Sequence, residues 1–419
     1  MPENSVDAIV TDPPYGLGFM GKDWDAPQML GQSNGNTRGN WKKRKGDEGY
    51  VPGNSAGYHR NDPSKFQAFS EAWAREALRV LKPGGHLLAF AGTRTYHRMA
   101  SGVEDAGFEI RDCIAWMYGS GFPKSLDVSK AVDKASGVDT SSDDRWVATP
   151  HPVTGAYKTA SGNSQQVGQA VAGLRHLYDP ATDAARKWSG WGTALKPAFE
   201  PIVVARKPLI GTVAQNVLEH GTGAINVDGC RIGTQADSPQ VTGARRTSLT
   251  YNAIDVPGGK ILDGGRWPAN VTLDEDAAAM LDEQSGERKS VPYKASTNGA
   301  KPENQNVSFA DLDYSGRGYS DTGGASRFFY TAKASKKDRN TNGAENTHPT
   351  VKPTTLMRWL IRLVTPPGGI ILDPFGGSGS TGVAARAEGV RCILIEREAE
   401  YLDIIRQRLD EGPLFANLD

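Results

Sequence analysis

The chain has 419 residues, enough for two or three domains with a substantial hydrophobic core. Its 48 basic and 48 acidic residues cancel, so binding to nucleic acid would have to come from local patches and not from net charge. The three cysteines form no CxxC pair, which argues against a metal site or a disulfide framework and fits a reducing cytosol. No apolar run approaches the roughly 18 residues of a membrane span and no signal-peptide pattern opens the chain, so we expect a cytoplasmic protein without a membrane partner.

One cluster of basic residues stands out near the N-terminus. Between Asp25 and Asp47 every charged residue is positive, and Trp41 stands among them in a run rich in glycine and asparagine. The basic residues of this cluster are Arg38, Lys42, Lys43, Arg44 and Lys45. The sequence leaves open whether they form a solvated loop or contact phosphate groups.

The first third of the chain alternates between strand and helix patterns. Val6 to Thr11 reads as a short apolar strand, and Ser64 to Leu81 has apolar residues at helical spacing up to a Lys-Pro-Gly-Gly stop. Three elements follow: a strand at 86–92, a helix at 93–106 and a strand at 108–119. This alternation predicts a mostly parallel α/β sheet.

The middle of the chain is polar, rich in glycine and irregular. Residues 119–196 read as a polar insertion with short helices at Leu126–Lys134 and Gln166–His176, and a strand is predicted from Pro197 to Lys207. From 208 to 345 the composition is dominated by Gly, Ser, Asn, Thr and Asp. Because a structureless loop of this length is improbable inside a compact domain, we predict a small irregular domain there.

Regular alternation returns at the C-terminal end. The predicted elements are a helix at Thr354–Val364, a strand at 368–374, a helix at Ser380–Glu388, a strand at 390–396 and a helix at Ala399–Leu409. Neither α/β stretch is large enough for a good sheet by itself. We therefore expect both to combine into one sheet, with the middle of the chain inserted between them.

A glycine-rich turn, "ILDPFGGSGSTGVAA", follows the strand that ends at Asp373. Such a turn lets the backbone approach a nucleotide or an adenosyl group, with helix N-terminal amides pointing at the ligand. Glu396 comes nineteen positions after Gly377, at the end of the next strand, where a carboxylate can accept hydrogen bonds from ribose hydroxyls. No Gly-Lys-Ser/Thr follows the turn, so a phosphate-cradling P-loop is disfavoured.

The sequence "TDPPY", Thr11 to Tyr15, forms a corner at the end of the first strand. A residue before a proline is pushed into an extended conformation, and the two prolines remove two backbone donors. The corner thus offers a carboxylate, a bare carbonyl and an aromatic face. An isolated Pro-Pro pair would be read as a stiff turn, but ligands bind at the carboxyl ends of strands in open α/β sheets, which favours a functional role.

Together, the Asp-Pro-Pro-Tyr corner and the Asp-Pro-Phe-Gly-Gly-Ser-Gly turn resemble the motifs of the DNA amino methyltransferases, in the circularly permuted order of the β class. "NTHPTVKP", Asn346 to Pro353, is similar to the family's segment ahead of the cofactor strand. The resemblance implies a Rossmann-like, permuted methyltransferase sheet that uses S-adenosylmethionine. Its catalytic half would be residues 1–207, its target recognition domain 208–345 and its cofactor-binding half 346–419.

The resemblance also implies a role for each motif. The catalytic residues would be Asp12, Pro13, Pro14 and Tyr15, with the carboxylate and the first proline carbonyl accepting hydrogen bonds from the target amine and the tyrosine stacking on a flipped base. The cofactor would be held by Asp373, Pro374, Phe375, Gly376, Gly377, Ser378, Gly379 and Glu396. His348 and Lys352 would assist, with Lys352 near the carboxylate of the cofactor.

The implied reaction is methyl transfer to the exocyclic N6 of adenine in double-stranded DNA, because Asp leads the corner. Cytosine N4 is the alternative, although enzymes of that kind more often carry Ser at this position. A catalytically impaired DNA-binding protein is an alternative of another class. A cognate restriction endonuclease is an implied partner, and the protein would be a monomer or a homodimer. Arginines that could contact bases or phosphates are Arg231, Arg245, Arg246, Arg266 and Arg327.

The sequence departs from the family pattern at its start. In β-class relatives a strand ending in a Gly-Asp pair and a segment like Leu-Pro-x-Asn-Ser-Val-Asp precede the corner, whereas this sequence opens at "MPENSVD". The expectation is that the recorded start lies inside a longer reading frame. The same departure predicts a more open adenine pocket and an exposed sheet edge.

Overall fold

The computed structural model describes the chain in several stretches. These are residues 1–16, 63–119, 121, 125–141, 146–150, 174–233, 265–290, 321–332, 340, 346–348 and 350–409. They fall into two compact units, one of Met1–Ser120 with Phe199–Asp419 and one of Gly121–Ala198. The basic cluster with Trp41 lies outside the described residues, as do Arg245 and Arg246.

Strands and helices alternate at both ends of the chain, close to the predicted bounds. In chain order the first elements are β1 (Val6–Thr11), α1 (Pro63–Val80), β2 (Leu81–Phe90), α2 (Tyr96–Asp105), β3 (Glu109–Met117), α3 (Val128–Ala135), β4 (Trp146–Pro150), β5 (Leu174–Tyr178), α4 (Asp183–Arg186) and β6 (Phe199–Arg206). The following elements are α5 (Val213–His220), β7 (Val271–Asp274), α6 (Glu275–Ser285), β8 (Arg288–Lys289), β9 (Thr322–Gly323), β10 (Tyr330–Ala332), α7 (Thr354–Val364), β11 (Ile370–Asp373), α8 (Ser380–Ala387), β12 (Arg391–Leu394) and α9 (Ala399–Leu409).

Eight strands form the main sheet, in the order β10-β7-β3-β6-β2-β1-β11-β12. Seven of them share one direction, and β6 runs antiparallel to both of its neighbours. The two ends of the chain meet where β1 pairs with β11, with Ala8 opposite Ile371 and Ile9 opposite Leu372. The predicted Rossmann-like α/β sheet, assembled from both ends of the chain, is confirmed.

The residues of β1 alternate between two hydrophobic cores, one on each face of the sheet. Ala8 and Val10 belong to the core that includes α7, whereas Ile9 belongs to the core under α1 and α2. All six residues of the strand are buried, which a strand covered on both faces requires. Asp7 is polar, and its carboxylate accepts a 2.7 Å hydrogen bond from the backbone amide of Ile370, which ties β1 to β11.

Helix α7 covers the sheet beside the pairing of β1 with β11. Its buried side chains recur at helical spacing and include Leu356, Met357, Leu360, Ile361 and Val364. The helix ends before two consecutive prolines, which cannot continue it. Because α7 packs on β1 and β2, the residues just before it are brought over the carboxyl ends of these strands.

The smaller unit is organised around one buried carboxylate. Asp133 of α3 accepts hydrogen bonds from the hydroxyls of Tyr178 and Thr182 and from the backbone amides of Ala181 and Thr182. Burial by itself would raise the pKa of this carboxyl, but the hydrogen bonds outweigh burial and lower it to about 2.

The sequence-based prediction of a helix at Gln166–His176 is wrong at its C-terminal end. Residues from Leu174 form β5, which pairs antiparallel with β4. A run this short fits either type of element by its pattern, and the cross-strand pairing decides it.

None of the helices in the described stretches is long and apolar enough to cross a membrane.

The range 208–345 contributes to the main sheet, although the sequence predicts a separate domain there. Within the described part of this range, β7 pairs with β3, and β10 extends the sheet beyond β7. These strands have only four and three residues, too few for an alternating pattern to stand out in a polar sequence. A role of this range in target recognition stays a prediction.

Candidate active site

The Asp-Pro-Pro-Tyr corner and the glycine-rich turn lie side by side. Because β1 and β11 are parallel neighbours, their carboxyl ends reach the same edge of the sheet. The chain leaves β1 towards β2 on one side and leaves β11 towards β12 on the other, which makes this pair the switch point where open α/β sheets bind ligands. Thr11, the last residue of β1, donates a 2.6 Å hydrogen bond from its hydroxyl to Oδ1 of Asp373 and so joins the two strand ends.

The backbone of the corner is fixed by its neighbours. The hydroxyl of Thr95 donates a 2.7 Å hydrogen bond to the carbonyl of Tyr15. Gly92 approaches the same tyrosine so closely that a Cβ there would come within 3.1 Å of its ring. Pro13 is buried, whereas Asp12 and Pro14 are partly exposed. The corner therefore presents its carboxylate and its ring from a rigid support.

Four side chains meet at the corner, and we call Asp12, Tyr15, Glu200 and Lys352 the corner cluster. Nζ of Lys352 lies 2.6 Å from Oδ2 of Asp12 and 3.4 Å from Oε2 of Glu200. The hydroxyl of Tyr15 lies 2.9 Å from Oδ1 of Asp12 and 3.1 Å from Oε2 of Glu200, within donating distance of both. Both oxygens of the Asp12 carboxylate are thus occupied, and both donors have a second acceptor in Glu200.

In the corner cluster, the pKa values of Lys352 and Tyr15 are both raised. Burial by itself would lower the pKa of Lys352, but the charges of Asp12 and Glu200 outweigh burial and raise this pKa above its ordinary value. Burial raises the pKa of Tyr15, and the same two carboxylates raise it further. At neutral pH the lysine is therefore an ammonium ion and the tyrosine a neutral phenol.

Glu200 belongs to the site because β6 is reversed. It is the second residue of β6, and an antiparallel strand begins at the edge where its parallel neighbours end. Opposite it in the register stands Trp116 of β3. Sequence reasoning identified this strand but assigned no role to its glutamate, and the signal that could have found it is a carboxylate at the start of an otherwise buried apolar strand.

Lys352 contacts a carboxylate of the protein itself, since its ammonium group pairs with Asp12 and the side chain is almost fully buried. The expectation from sequence that it lies near the carboxylate of the cofactor stays a prediction. Its Nζ also lies 4.9 Å from the ring centroid of Phe90. Lys352 reaches the corner because it lies two residues before α7, which packs on β1 and β2.

The glycine-rich turn has a backbone that only glycine adopts without strain at two positions. Gly377 has a φ of 52° and Gly379 a φ of 81°, and the latter precedes α8 directly. A Cβ at Gly377 would lie 3.2 Å from Nε2 of His348. The amide of Gly379 donates a 2.7 Å hydrogen bond to the carbonyl of Gly376, which closes the turn.

Asp373 is buried beneath the turn, and its carboxylate is fully engaged by the protein. It accepts hydrogen bonds from the hydroxyls of Thr11 and Thr381, at 2.6 Å and 2.5 Å, and from the amide of Phe375 at 3.0 Å. Burial, with a smaller contribution from the charge of Asp12, raises its pKa to about 6 against the effect of these hydrogen bonds. The side chain thus fixes the shape of the turn, and its contact with a cofactor stays a prediction.

Glu396 and His348 both lie close to Gly377 of the turn. Oε2 of Glu396 accepts a 2.7 Å hydrogen bond from the amide of Gly377, and Oε1 accepts one of 2.8 Å from the amide of Glu398. Its carboxylate is half-buried. Because each oxygen accepts one of these hydrogen bonds, each also keeps a lone pair for a ligand hydroxyl. His348 is buried edge-on against Tyr401, and burial lowers its pKa, so the ring is neutral at pH 7.

The remaining turn residues are held from α1 and α9. The ring of Phe375 packs edge-on against Trp73 of α1, with ring centroids 5.8 Å apart, and Pro374 is half-buried. Ser378 is buried and accepts a 3.0 Å hydrogen bond at its hydroxyl from Nη1 of Arg408, which also contacts its carbonyl. Arg408 thus supports the turn, and the sequence did not identify it because a helical arginine gives no signal of burial.

The arginines proposed for base contacts are largely tied to acidic neighbours. Arg266 donates to Asp321 at 2.7 Å, and Nε of Arg327 lies 3.5 Å from the same carboxylate. Arg231 pairs with Asp228 at 2.8 Å. These three therefore have structural partners where they are described, and their contact with DNA stays a prediction.

The donor set of the turn fits an adenosyl group better than a metal ion. A positive-φ glycine turn directly before a helix and a half-buried carboxylate beside it are features that bind a nucleoside. In the described part of the chain, no group of three or more His, Cys, Asp or Glu residues could hold a metal ion.

The fold and the site together define a doubly wound α/β protein with a glycine-rich turn of the kind that binds nucleosides beside a carboxylate corner. Comparison with known proteins gives the family, because the family profile described as "DNA methylase" matches residues 6–407. The chain belongs to the DNA methylase family. The predicted kinship with the DNA amino methyltransferases is confirmed.

Individual relatives match over shorter stretches. The type II methyltransferase M.HindIII of Haemophilus influenzae is 29% identical over 237 residues, which are 53% of this chain and 59% of that protein. The type II methyltransferase M2.DpnII of Streptococcus pneumoniae is 52% identical over 63 residues, 15% of this chain and 24% of that protein. The chain thus spans less than two thirds of the length of these relatives.

Among solved structures, the cytosine-N4-specific PvuII DNA methyltransferase aligns over 97% of this chain and 80% of its own, at 13% identity and a TM-score of 0.40.

Proposed function

We propose that the protein transfers a methyl group from S-adenosylmethionine to the exocyclic N6 of adenine in double-stranded DNA. The observation that carries the proposal is the position of Asp12 at the carboxyl end of β1, directly beside the turn after β11. Membership of the DNA methylase family supports the reaction class. Adenine is favoured over cytosine N4 because an aspartate, and not a serine, leads the Pro-Pro-Tyr corner.

The corner supplies what an aromatic amine needs in order to react. The lone pair of the amine is delocalised into the ring, so the amine is a poor nucleophile. Hydrogen bonds from the amine to the Asp12 carboxylate and to the carbonyl of Pro13 favour a pyramidal nitrogen with a directed lone pair. Positive charge develops on this nitrogen during transfer, and a fixed carboxylate beside it stabilises that charge.

The turn would hold the cofactor, which supplies an electrophilic methyl group on a sulfonium centre. The two oxygens of Glu396 would accept hydrogen bonds from the ribose hydroxyls, since each already anchors a backbone amide and has a lone pair left. Gly377 would let the backbone approach the ligand closely. Phe375, braced against Trp73, would exclude water from the apolar side of the pocket.

The target base must leave the duplex to reach the corner, at a cost of a few kcal/mol. Tyr15 would stack on the extruded base, and such stacking contributes about 1–3 kcal/mol. Its ring is partly exposed and its hydroxyl is anchored, so it offers a fixed aromatic surface. Sequence recognition would fall to residues 208–345, and a cognate restriction endonuclease and the oligomeric state stay predictions.

Mass spectrometry of nucleosides tests the choice of base. Double-stranded DNA is incubated with the protein and S-adenosylmethionine, digested and analysed for modified nucleosides. The expected product is 6-methyladenine. A reaction that yields 4-methylcytosine overturns the adenine assignment, and a protein that binds DNA without any methylated product supports the impaired binding protein instead.

A further inference from the structure

The Asp12 carboxylate is covered by the protein's own groups. The Tyr15 hydroxyl occupies Oδ1 and the Lys352 ammonium occupies Oδ2, at 2.9 Å and 2.6 Å. The proposed reaction needs this carboxylate as the acceptor for an incoming amine. The ammonium also cancels its negative charge, so a pair made of Asp12 and Lys352 alone would offer little to a nitrogen that becomes positive.

Glu200 stands where it can correct both problems. Its Oε2 lies 3.4 Å from Nζ of Lys352 and 3.1 Å from the Tyr15 hydroxyl, so both donors have an alternative acceptor within hydrogen-bonding distance. A buried ammonium that lost its only partner would be strongly unfavourable. With Glu200 present, Lys352 can give way to the amine by a small movement and remain paired.

The charges of the corner cluster lead to the same conclusion. Two carboxylates and one ammonium leave one negative charge, because the tyrosine is neutral. That charge matches the positive charge that develops during methyl transfer. Without Glu200 the cluster would be neutral, and Lys352 would have no other carboxylate in the cluster than Asp12.

We infer that Glu200 is a positioning residue of the methyl-transfer site, which draws Lys352 and the Tyr15 hydroxyl away from Asp12 when the target amine enters and keeps the cluster at one negative charge. This inference rests on the proposed function. It gives Lys352 a regulating role: the lysine covers the acceptor in the absence of the base, and Glu200 sets how easily it leaves.

A charge-compensating pair of substitutions tests the inference. In Glu200→Gln the cluster becomes neutral and Lys352 stays on Asp12, so we expect kcat on DNA to fall about tenfold to a hundredfold, with a smaller change in KM. Adding Lys352→Met to this variant restores one negative charge and uncovers Asp12, so kcat is expected to rise again. In the wild-type background Lys352→Met should not raise kcat. The difference between its effects on kcat in the two backgrounds measures the coupling between Glu200 and Lys352.

Three further measurements separate positioning from mere structural support. Glu200→Asp keeps the charge and is expected to retain kcat within a few-fold, which keeps the test valid if the glutamine variant folds poorly. Glu109→Gln removes a carboxylate that pairs with Arg206 across the same two strands, and it should leave kcat unchanged. Thermal unfolding of every variant shows whether stability follows kcat.

The outcomes distinguish this inference from the proposed function. A wild-type protein that transfers no methyl group to DNA contradicts the proposed function and the inference with it. If the wild type is active and Glu200→Gln is equally active, the inference alone is overturned. It is also overturned if the double variant is no faster than Glu200→Gln.

Discussion

The glycine at position 377 makes the cofactor proposal testable at a single Cβ. Gly377→Ala places a side chain at a φ of 52° and within 3.2 Å of His348, so we expect a loss of about 1–2 kcal/mol in unfolding free energy and a roughly tenfold weaker affinity for S-adenosylmethionine. Gly389→Ala is the matched control: its φ is 68°, but a Cβ there would meet nothing within 4 Å. The control should lose similar stability and keep its affinity, as calorimetric titration would show. Equal affinity loss in both variants would contradict the close approach at Gly377.

Single residues also show why the site could be predicted only in part. The sequence alone singles out Asp12 and the glycines, because their motifs are contiguous and contain prolines and glycines with a characteristic backbone. Glu200 and Lys352 come to Asp12 from 188 and 340 positions further along the chain, through a reversed strand and a helix that packs on the sheet. No local pattern encodes such contacts.

At the scale of an element, α9 supports the turn through one buried arginine. Arg408→Met would leave the Ser378 carbonyl and hydroxyl without their donor, so we expect a loss of about 2–4 kcal/mol in unfolding free energy, together with weaker cofactor binding. Arg406→Ala, on the exposed side of the same helix, removes a solvent-exposed pair with Asp403 and should cost at most about 1 kcal/mol. Denaturant unfolding gives both values, and similar losses in the two variants would refute this role of Arg408.

The sequence predicts the bounds of the long amphipathic helices closely. The predicted bounds of α7 and α9 coincide with the observed ones, because a strong apolar stripe and flanking prolines or turns fix them. The predictions were weakest for short strands such as β5, β7 and β10, whose existence depends on a partner strand and not on their own residues.

At the scale of the whole molecule, the chain divides into two compact units that should respond separately to acid. Asp133 holds the smaller unit with a pKa lowered to about 2, below the 3.8 of an unperturbed carboxyl. Its stabilising contribution is therefore present above about pH 4 and is lost as the pH falls towards 2. We expect the protection factors of the Ala181 and Thr182 amides against hydrogen exchange to fall in this window, and at pH 7 in Asp133→Asn.

The amides of β1 provide the reference for that experiment. They lie in the fully buried centre of the other unit and should keep their protection at pH 7 in Asp133→Asn. Loss of protection in both units at once would show that Asp133 stabilises the whole chain and not one unit. The sheet order that defines the larger unit was only partly predictable, since the sequence places strands along the chain but not beside one another.

The most direct test of the central claim is transfer of tritium from methyl-labelled S-adenosylmethionine to double-stranded DNA. The wild type should label DNA, whereas Asp12→Ala should reduce the rate at least about a hundredfold, because the amine loses its charged acceptor. Asp105→Ala, which removes an exposed carboxylate that accepts from Gln67 outside the site, should label DNA at the wild-type rate. Absence of labelling by the wild type, or undiminished labelling by Asp12→Ala, would contradict the account.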